Sequence, residues 1–227
     1  MPAGDSVVLA GPTGAGKTTF AMQFVLAGLD AGESAVVAVF EERPDVYLAR
    51  AERFGPAFAA AVADGRLRVI YLRPLDLSVD ETLQEIREAV EASGATRVVI
   101  DSINGFEMAL APTFRTDFRE SLYRLIGTLT SLGVTMYSTI EIERQDAATL
   151  TGFRVSFLTD VIISLRYVEI EGELRKALVV VKVRGSDHSR AFHLYESSAT
   201  GIVLGATLGE YDRITTGLPD RSDRQRP

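Results

Sequence analysis

The sequence predicts an α/β fold in three layers: a mostly parallel central sheet covered by helices on both faces, with an antiparallel hairpin extension toward the C-terminus. Three observations predict it. Short, almost wholly apolar runs such as Ala35 to Phe40 alternate with longer segments of helical periodicity, the pattern of buried parallel strands joined by crossover helices. A glycine-rich turn, Gly11 to Thr18, joins the first such run to the first helical segment. After about residue 158, strand follows strand across a short Glu171-Gly172-Glu173 connection.

Ser6 to Ala10 reads as the first strand and Lys17 to Leu29 as the first helix. Ala35 to Phe40 is a strand rich in β-branched residues. Pro44 sits where a first helical turn tolerates it, opening a helix to about Ala63. Leu67 to Leu72 is a strand. Val79 to Ala92 is a helix with Leu83, Ile86 and Val90 on one face. Arg97 to Ile100 is a strand. Phe118, Leu122, Leu125, Ile126 and Leu129 mark a further amphipathic helix, and Val134 to Thr139 another strand. Val161 to Ile170 and Leu174 to Val183 form the hairpin, with shorter strands at Arg190 to Tyr195 and Gly201 to Leu204. Residues 1–212 read as one domain. Residues 213–227 lose apolar periodicity and read as a C-terminal tail, either flexible or packed on a neighbouring subunit.

With 227 residues the chain is long enough to bury a large core. There is no cysteine, which excludes disulfides and thiolate chemistry. No apolar run reaches the roughly 20 residues a membrane helix needs. The first residues lack the basic and apolar regions of a signal peptide, so a cytoplasmic protein is expected. A net charge of −7 argues against wholesale nucleic-acid binding.

Gly11-Pro12-Thr13-Gly14-Ala15-Gly16-Lys17-Thr18 matches the phosphate-binding pattern G-x-x-x-x-G-K-[ST]. Its glycines let successive backbone N–H groups converge on phosphate oxygens, and the helix that begins here, with Thr19 in its first turn, adds a positive end. Lys17 is expected to reach the β- and γ-phosphates, and Thr18 to bind Mg²⁺. Asp101, ending an apolar strand, is expected at the carboxyl edge of the sheet, where it holds Mg²⁺ through water. Glu41 and Glu42 follow the strand Val36 to Phe40. A carboxylate there suits the orientation of an attacking water, with Glu41 the first choice; a helix N-terminus would also favour acids in front of Pro44. Lys182 and Arg184, two apart in a strand, share a face and would suit a γ-phosphate clamp; a solvated strand end fits the pattern as well.

These motifs, with Phe-Glu-Glu-Arg-Pro at 40–44, Val-Ile-Asp-Ser at 99–102, the run from Thr159 to Leu174, and Lys-Val-Arg-Gly-Ser-Asp-His at 182–188, resemble the KaiC-type ATPase domains of the RecA-like superfamily of P-loop NTPases. The tyrosine-bearing hairpin and the Lys-x-Arg-Gly-Ser run look more like the second KaiC domain than the first. The resemblance implies ATP and Mg²⁺ as ligands and a homohexameric ring with ATP between neighbours. It implies that Lys182 and Arg184, with His188 nearby, reach an adjacent subunit's nucleotide, that Glu41 and Glu42 are catalytic, and that Thr139 lies near the phosphates. A regulatory or circadian output with a protein partner follows from the same likeness. This sequence carries one such domain where the clock protein has two, and it begins shortly before the first strand, without the family's preceding glycine-rich segment. Where the clock protein carries an adjacent Ser and Thr as phosphorylation sites, Ser156 stands on the Ser position and Phe157 on the Thr, leaving Ser156 as the single candidate for autophosphorylation. Two alternatives stay open: a DNA-dependent ATPase of the RecA kind, against which the mixed charge of Phe114 to Arg119 and Glu141 to Phe153 weighs, and an ATP-gated scaffold whose hydrolysis is incidental.

Overall fold

A computed structural model describes residues 3–72, 78–109, 118–142, 158–198 and 201–221. β1 (Ser6–Gly11) leads through the glycine-rich turn into α1 (Lys17–Asp30). β2 (Ala35–Val39), α2 (Pro44–Ala51), a short 3₁₀ turn at Glu52–Phe54, α3 (Ala57–Ala63) and β3 (Leu67–Tyr71) follow. Then come α4 (Val79–Ser93), β4 (Arg97–Asp101), α5 (Ile103–Ala109), α6 (Phe118–Ser131) and β5 (Thr135–Glu141). The C-terminal third is β6 (Val161–Ile170), β7 (Glu173–Val183), β8 (His193–Ser198), β9 (Gly201–Thr207), β10 (Tyr211–Asp212) and β11 (Asp220–Arg221).

The main sheet runs β3-β2-β4-β5-β1-β6-β7-β8-β9. From β3 to β6 neighbouring strands are parallel, and from β6 to β9 they are antiparallel. Strand alternation sends side chains to two cores. Val8, Ala10, Val36, Ala38 and Ile100 meet α4, α5 and α6 on one face, while Val7, Leu9, Val37, Val39 and Val99 meet α1, α2 and α3 on the other. Both faces are thus covered, which is why β2 is apolar at every position. A capping box fixes the start of α4: Ser78 Oγ accepts from the Glu81 N–H at 3.2 Å, and the Glu81 carboxylate accepts from the Ser78 N–H at 2.8 Å.

The structure departs from the sequence expectation in three places. The helix from Pro44 to Ala63 is broken, because Gly55 and Pro56 end the 3₁₀ turn and restart the chain as α3. The strand expected at Arg190 to Tyr195 lies three residues later, as β8. Residues 213–221 do not run free of the domain: Gly217 O accepts from the Glu169 N–H at 3.0 Å, and Tyr211 and Ile214 pack against Val168, Ala177 and Leu208. The hairpin turn is two residues, Glu171 and Gly172, both at positive φ, which matches the right-handed strand twist.

Candidate active site

The phosphate loop is suspended between β1 and α1 and held from outside by the antiparallel strands. Tyr195 donates from its hydroxyl to Ala15 O at 2.7 Å, and Tyr167 to Thr13 O at 3.3 Å. Burial, with Tyr167 adding to it, pushes the Tyr195 phenol above its ordinary range, so it stays a neutral donor. Gly14 has φ 73°, and a Cβ built there would lie 2.9 Å from the Tyr167 hydroxyl oxygen. Only glycine combines that left-handed conformation with that approach. Gly11 closes β1, Ala15 is buried, and Gly16 caps α1, whose first turn carries Thr18 and Thr19. Lys17 Nζ donates to Gly11 O at 3.1 Å and Pro12 O at 2.9 Å and pairs with Glu141 at 3.3 Å. The ammonium is therefore drawn across the mouth of the loop, between its carbonyls and Glu141.

Beside the loop lies a cleft of about 290 Å³ lined by Thr18, Glu41, Glu42, Arg50, Asp101 and Ser102. Parallel pairing makes this convergence: β2 and β4 end side by side, with Val39 opposite Asp101, so the acids after both strands open onto one edge. Asp101 accepts a hydrogen bond from Thr139 Oγ1, which is fully buried on β5. The Asp101–Ser102 peptide is cis. Ser102 Oγ accepts from the Gly105 N–H at 3.0 Å and donates to Glu41 Oε1 at 2.9 Å. Glu42 is ion-paired with Arg50 of α2. Burial pushes Glu42 above the usual carboxylate range against the opposing pull of Arg50, and the charges of Asp101 and Glu41 add to the rise. Burial and then Asp101 likewise raise the phenols of Tyr47 and Tyr137.

The donors facing this cleft are hydroxyl and carboxylate oxygens, the chemistry that a hard divalent cation takes. Among the described residues no group of three His, Cys, Asp or Glu side chains forms a cage.

Lys182, Arg184 and His188 are not in this cleft. Lys182 is opposite Ile162 in the hairpin, its ammonium bonded to Thr159 O at 2.5 Å. Arg184 pairs with Asp160 at 3.0 Å, and Asp160 accepts from the Ser6 N–H at 3.0 Å and its hydroxyl at 2.8 Å. Ser6 begins β1 and Gly11 ends it, so these cations sit at the opposite edge of the sheet, about 17 Å away at 3.3 Å per residue. Burial lowers the Lys182 ammonium, with Arg184 adding to it and Asp160 opposing. Burial raises Asp160, but the Ser6 N–H and hydroxyl, with Arg184, overcome that and hold it below the ordinary carboxylate range. His188 follows in the connection after β7, both ring nitrogens buried and without a hydrogen-bond partner in the described part of the chain. Ser156 lies outside the described residues.

A family model described as "ATPase: KaiC" matches residues 1–208. The chain belongs to the KaiC ATPase family. It is 29% identical over 219 residues to the circadian clock oscillator protein KaiC of Picosynechococcus sp., covering 96% of this chain and 42% of that one. The protein of the same name from Parathermosynechococcus lividus is 30% identical over 96% of this chain and 40% of its own length. The circadian clock protein KaiC3 of Synechocystis sp. is 28% identical over 95% and 42%. The chain thus spans about two-fifths of the length of these curated relatives. Membership makes it an ATPase domain of the RecA-like superfamily. Among the described residues no helix is long and apolar enough to cross a membrane.

Sequence reasoning missed Glu141, which holds Lys17, and Asn104, whose side-chain oxygen accepts from the Glu141 N–H at 2.7 Å. It also missed Arg50, Ser102 and the two loop-clasping tyrosines. Ser102 was findable, since it follows Asp101 at the same strand end. Tyr167 and Tyr195 were not, because their reach depends on the register and twist of the antiparallel strands.

Proposed function

We propose that this chain binds Mg-ATP and hydrolyses it slowly as one subunit of a ring of like chains, with a regulatory output. The carrying observation is that Thr18, Glu41, Glu42 and Asp101 line one cleft beside the phosphate loop while Lys182 and Arg184 stand at the other sheet edge. One fold cannot close both halves around one nucleotide. A neighbour presenting its Lys182 and Arg184 edge to the cleft can, and then each subunit gives one half-site and receives another.

In this reading Glu41 orients a water for in-line attack on the γ-phosphorus. The new P–O bond forms as the bond to the β–γ bridging oxygen breaks, ADP leaves, and the water's proton passes to the carboxylate. Lys17 turns from its loop carbonyls to the β- and γ-phosphates. Mg²⁺ on Thr18, and through water on Asp101, would neutralise phosphate charge. Lys182 and Arg184 of the neighbour stabilise the charge that develops on the γ-phosphoryl group. The clock names of the relatives favour a slow, timing or signalling use of the cycle over bulk turnover. Ser156 is a candidate acceptor, tested by label uptake from γ-labelled ATP in Ser156→Ala.

The test uses three variants and a mass measurement. Lys17→Ala should lose ATP binding, and Glu41→Gln should bind ATP but not turn it over. Mixing Arg184→Ala with Glu41→Gln subunits should restore part of the activity, because some interfaces then pair two intact halves. Light scattering should give a six-subunit mass with Mg-ATP. Mixed rings with no restored turnover would overturn the shared site.

A further inference from the structure

The two adjacent acids of the cleft are held differently. Glu41 is exposed, and its hydrogen bond from Ser102 occupies Oε1 alone; no partner is seen on its other oxygen among the described residues. Glu42 is half-buried and ion-paired with Arg50. Arg50 is the one cation among the residues lining a cleft that also holds Glu41, Glu42 and Asp101. It comes from the last turn of α2, and its guanidinium carbon lies 6.0 Å from the ring centroid of the fully buried Tyr47. Its Nε is buried, with no hydrogen-bond partner among the described residues. The ion pair with Glu42 and the Tyr47 ring beneath it set the direction of the guanidinium, and a charged donor is suited to fixing one carboxylate.

We propose that Arg50 is a positioning residue for hydrolysis: by pinning Glu42 against α2 it separates the acidic pair, so that Glu41 alone is left to meet the attacking water. The inference rests on the hydrolytic reading above. Three carboxylates in one cleft repel one another and would otherwise share protons or swing apart. Arg50 neutralises one of them from the protein side, and the net charge that remains from the carboxylates matches a divalent cation. α2 starts two residues after Glu42, so the latch closes within eight residues of one chain and needs no neighbouring subunit.

The experiment compares wild type, Arg50→Ala, Arg50→Lys, Glu42→Gln and the Arg50→Ala/Glu42→Gln double variant as assembled protein with Mg-ATP. Turnover, KM for ATP and binding of a fluorescent ATP analogue are read for each. Arg50→Ala should lower kcat roughly 10- to 100-fold while KM and analogue affinity stay within about twofold, the cost of a misplaced catalytic geometry. Arg50→Lys should recover part of the loss, since a cation still faces Glu42. The double variant should be faster than Arg50→Ala, because removing the Glu42 charge removes the need for the latch. Unchanged kcat in Arg50→Ala, or a loss of analogue binding, would overturn the assignment. So would a double variant no faster than the single one. A wild-type protein that assembles but shows no turnover would refute the hydrolytic reading instead, and this inference would fall with it.

Discussion

Replacing Gly14 by alanine isolates what the antiparallel strands do for the phosphate loop. Two costs arise, and they can be separated. The first is conformational: a non-glycine residue at φ 73° pays about 1–2 kcal/mol for the left-handed region. The second is a contact: the added methyl would meet the Tyr167 hydroxyl at 2.9 Å. That oxygen is the far end of a side chain, so it can swing away. Its escape costs no more than the hydrogen bond to Thr13 O, about 0.5–1.5 kcal/mol. The sum is about 1.5–3.5 kcal/mol, or roughly a 10- to 300-fold loss of ATP affinity if the loop must adopt this geometry to bind. Titration with a fluorescent ATP analogue measures it. Tyr167→Phe, which lacks the clashing oxygen, should cost about 1 kcal/mol alone. Combined with Gly14→Ala it should add almost nothing, because the same hydrogen bond cannot be lost twice. Strict additivity of the two would refute the clasp. So would wild-type affinity in Gly14→Ala.

Three further outcomes follow from the same structure. Thr139→Val keeps the buried shape but removes the donor to Asp101, so the Mg²⁺ concentration for half-maximal turnover should rise roughly tenfold; an unmoved Mg²⁺ curve would detach Thr139 from the metal. Asp160 has its folded-state pKa below the ordinary 3.8, so its stabilisation is present above that value and is lost as pH falls through the folded pKa. Urea unfolding should therefore find Asp160→Asn less stable by about 1.5–3 kcal/mol at pH 7, with the gap narrowing on acidification below about 3.8; a gap that widens in acid would contradict it. Phe58, fully buried on α3 against the first-helix face, should cost roughly 3–5 kcal/mol on truncation to alanine, or about 10 °C or more in Tm, with analogue affinity unchanged.

What the sequence made legible was what depends on local pattern. β2 is apolar throughout because both its faces are buried, and that run announced a covered parallel sheet. The phosphate loop is contiguous in the chain, and its register to α1 needed no tertiary information. Asp101 and the acidic pair could be brought to one edge because parallel strands ending together is a topological rule and not a packing detail. What was not legible depends on side chains meeting across long separations. α5 is only seven residues and its periodicity is too short to register. The contact between Tyr195 and Ala15 spans 180 positions and needs β8 to cross beside the loop. Arg50 lies on the polar side of a short helix, where a charge is ordinarily solvated, and only the pairing with Glu42 distinguishes it. The break at Gly55-Pro56 was written in the residues, but the apolar content of the segment as a whole outweighed it.

The distance between the two groups of charged residues along β1 has a consequence for dilution. If a working site is assembled from two molecules, turnover per molecule is no longer a constant of the chain. It falls as the protein is thinned below the dissociation constant of the junction, and it does so with a steep threshold if only closed rings are complete. An open row of six would carry five working junctions and two idle ends, whereas closure adds the sixth and removes both ends together. A dilution series read by phosphate release therefore reports the geometry of assembly without any measurement of mass.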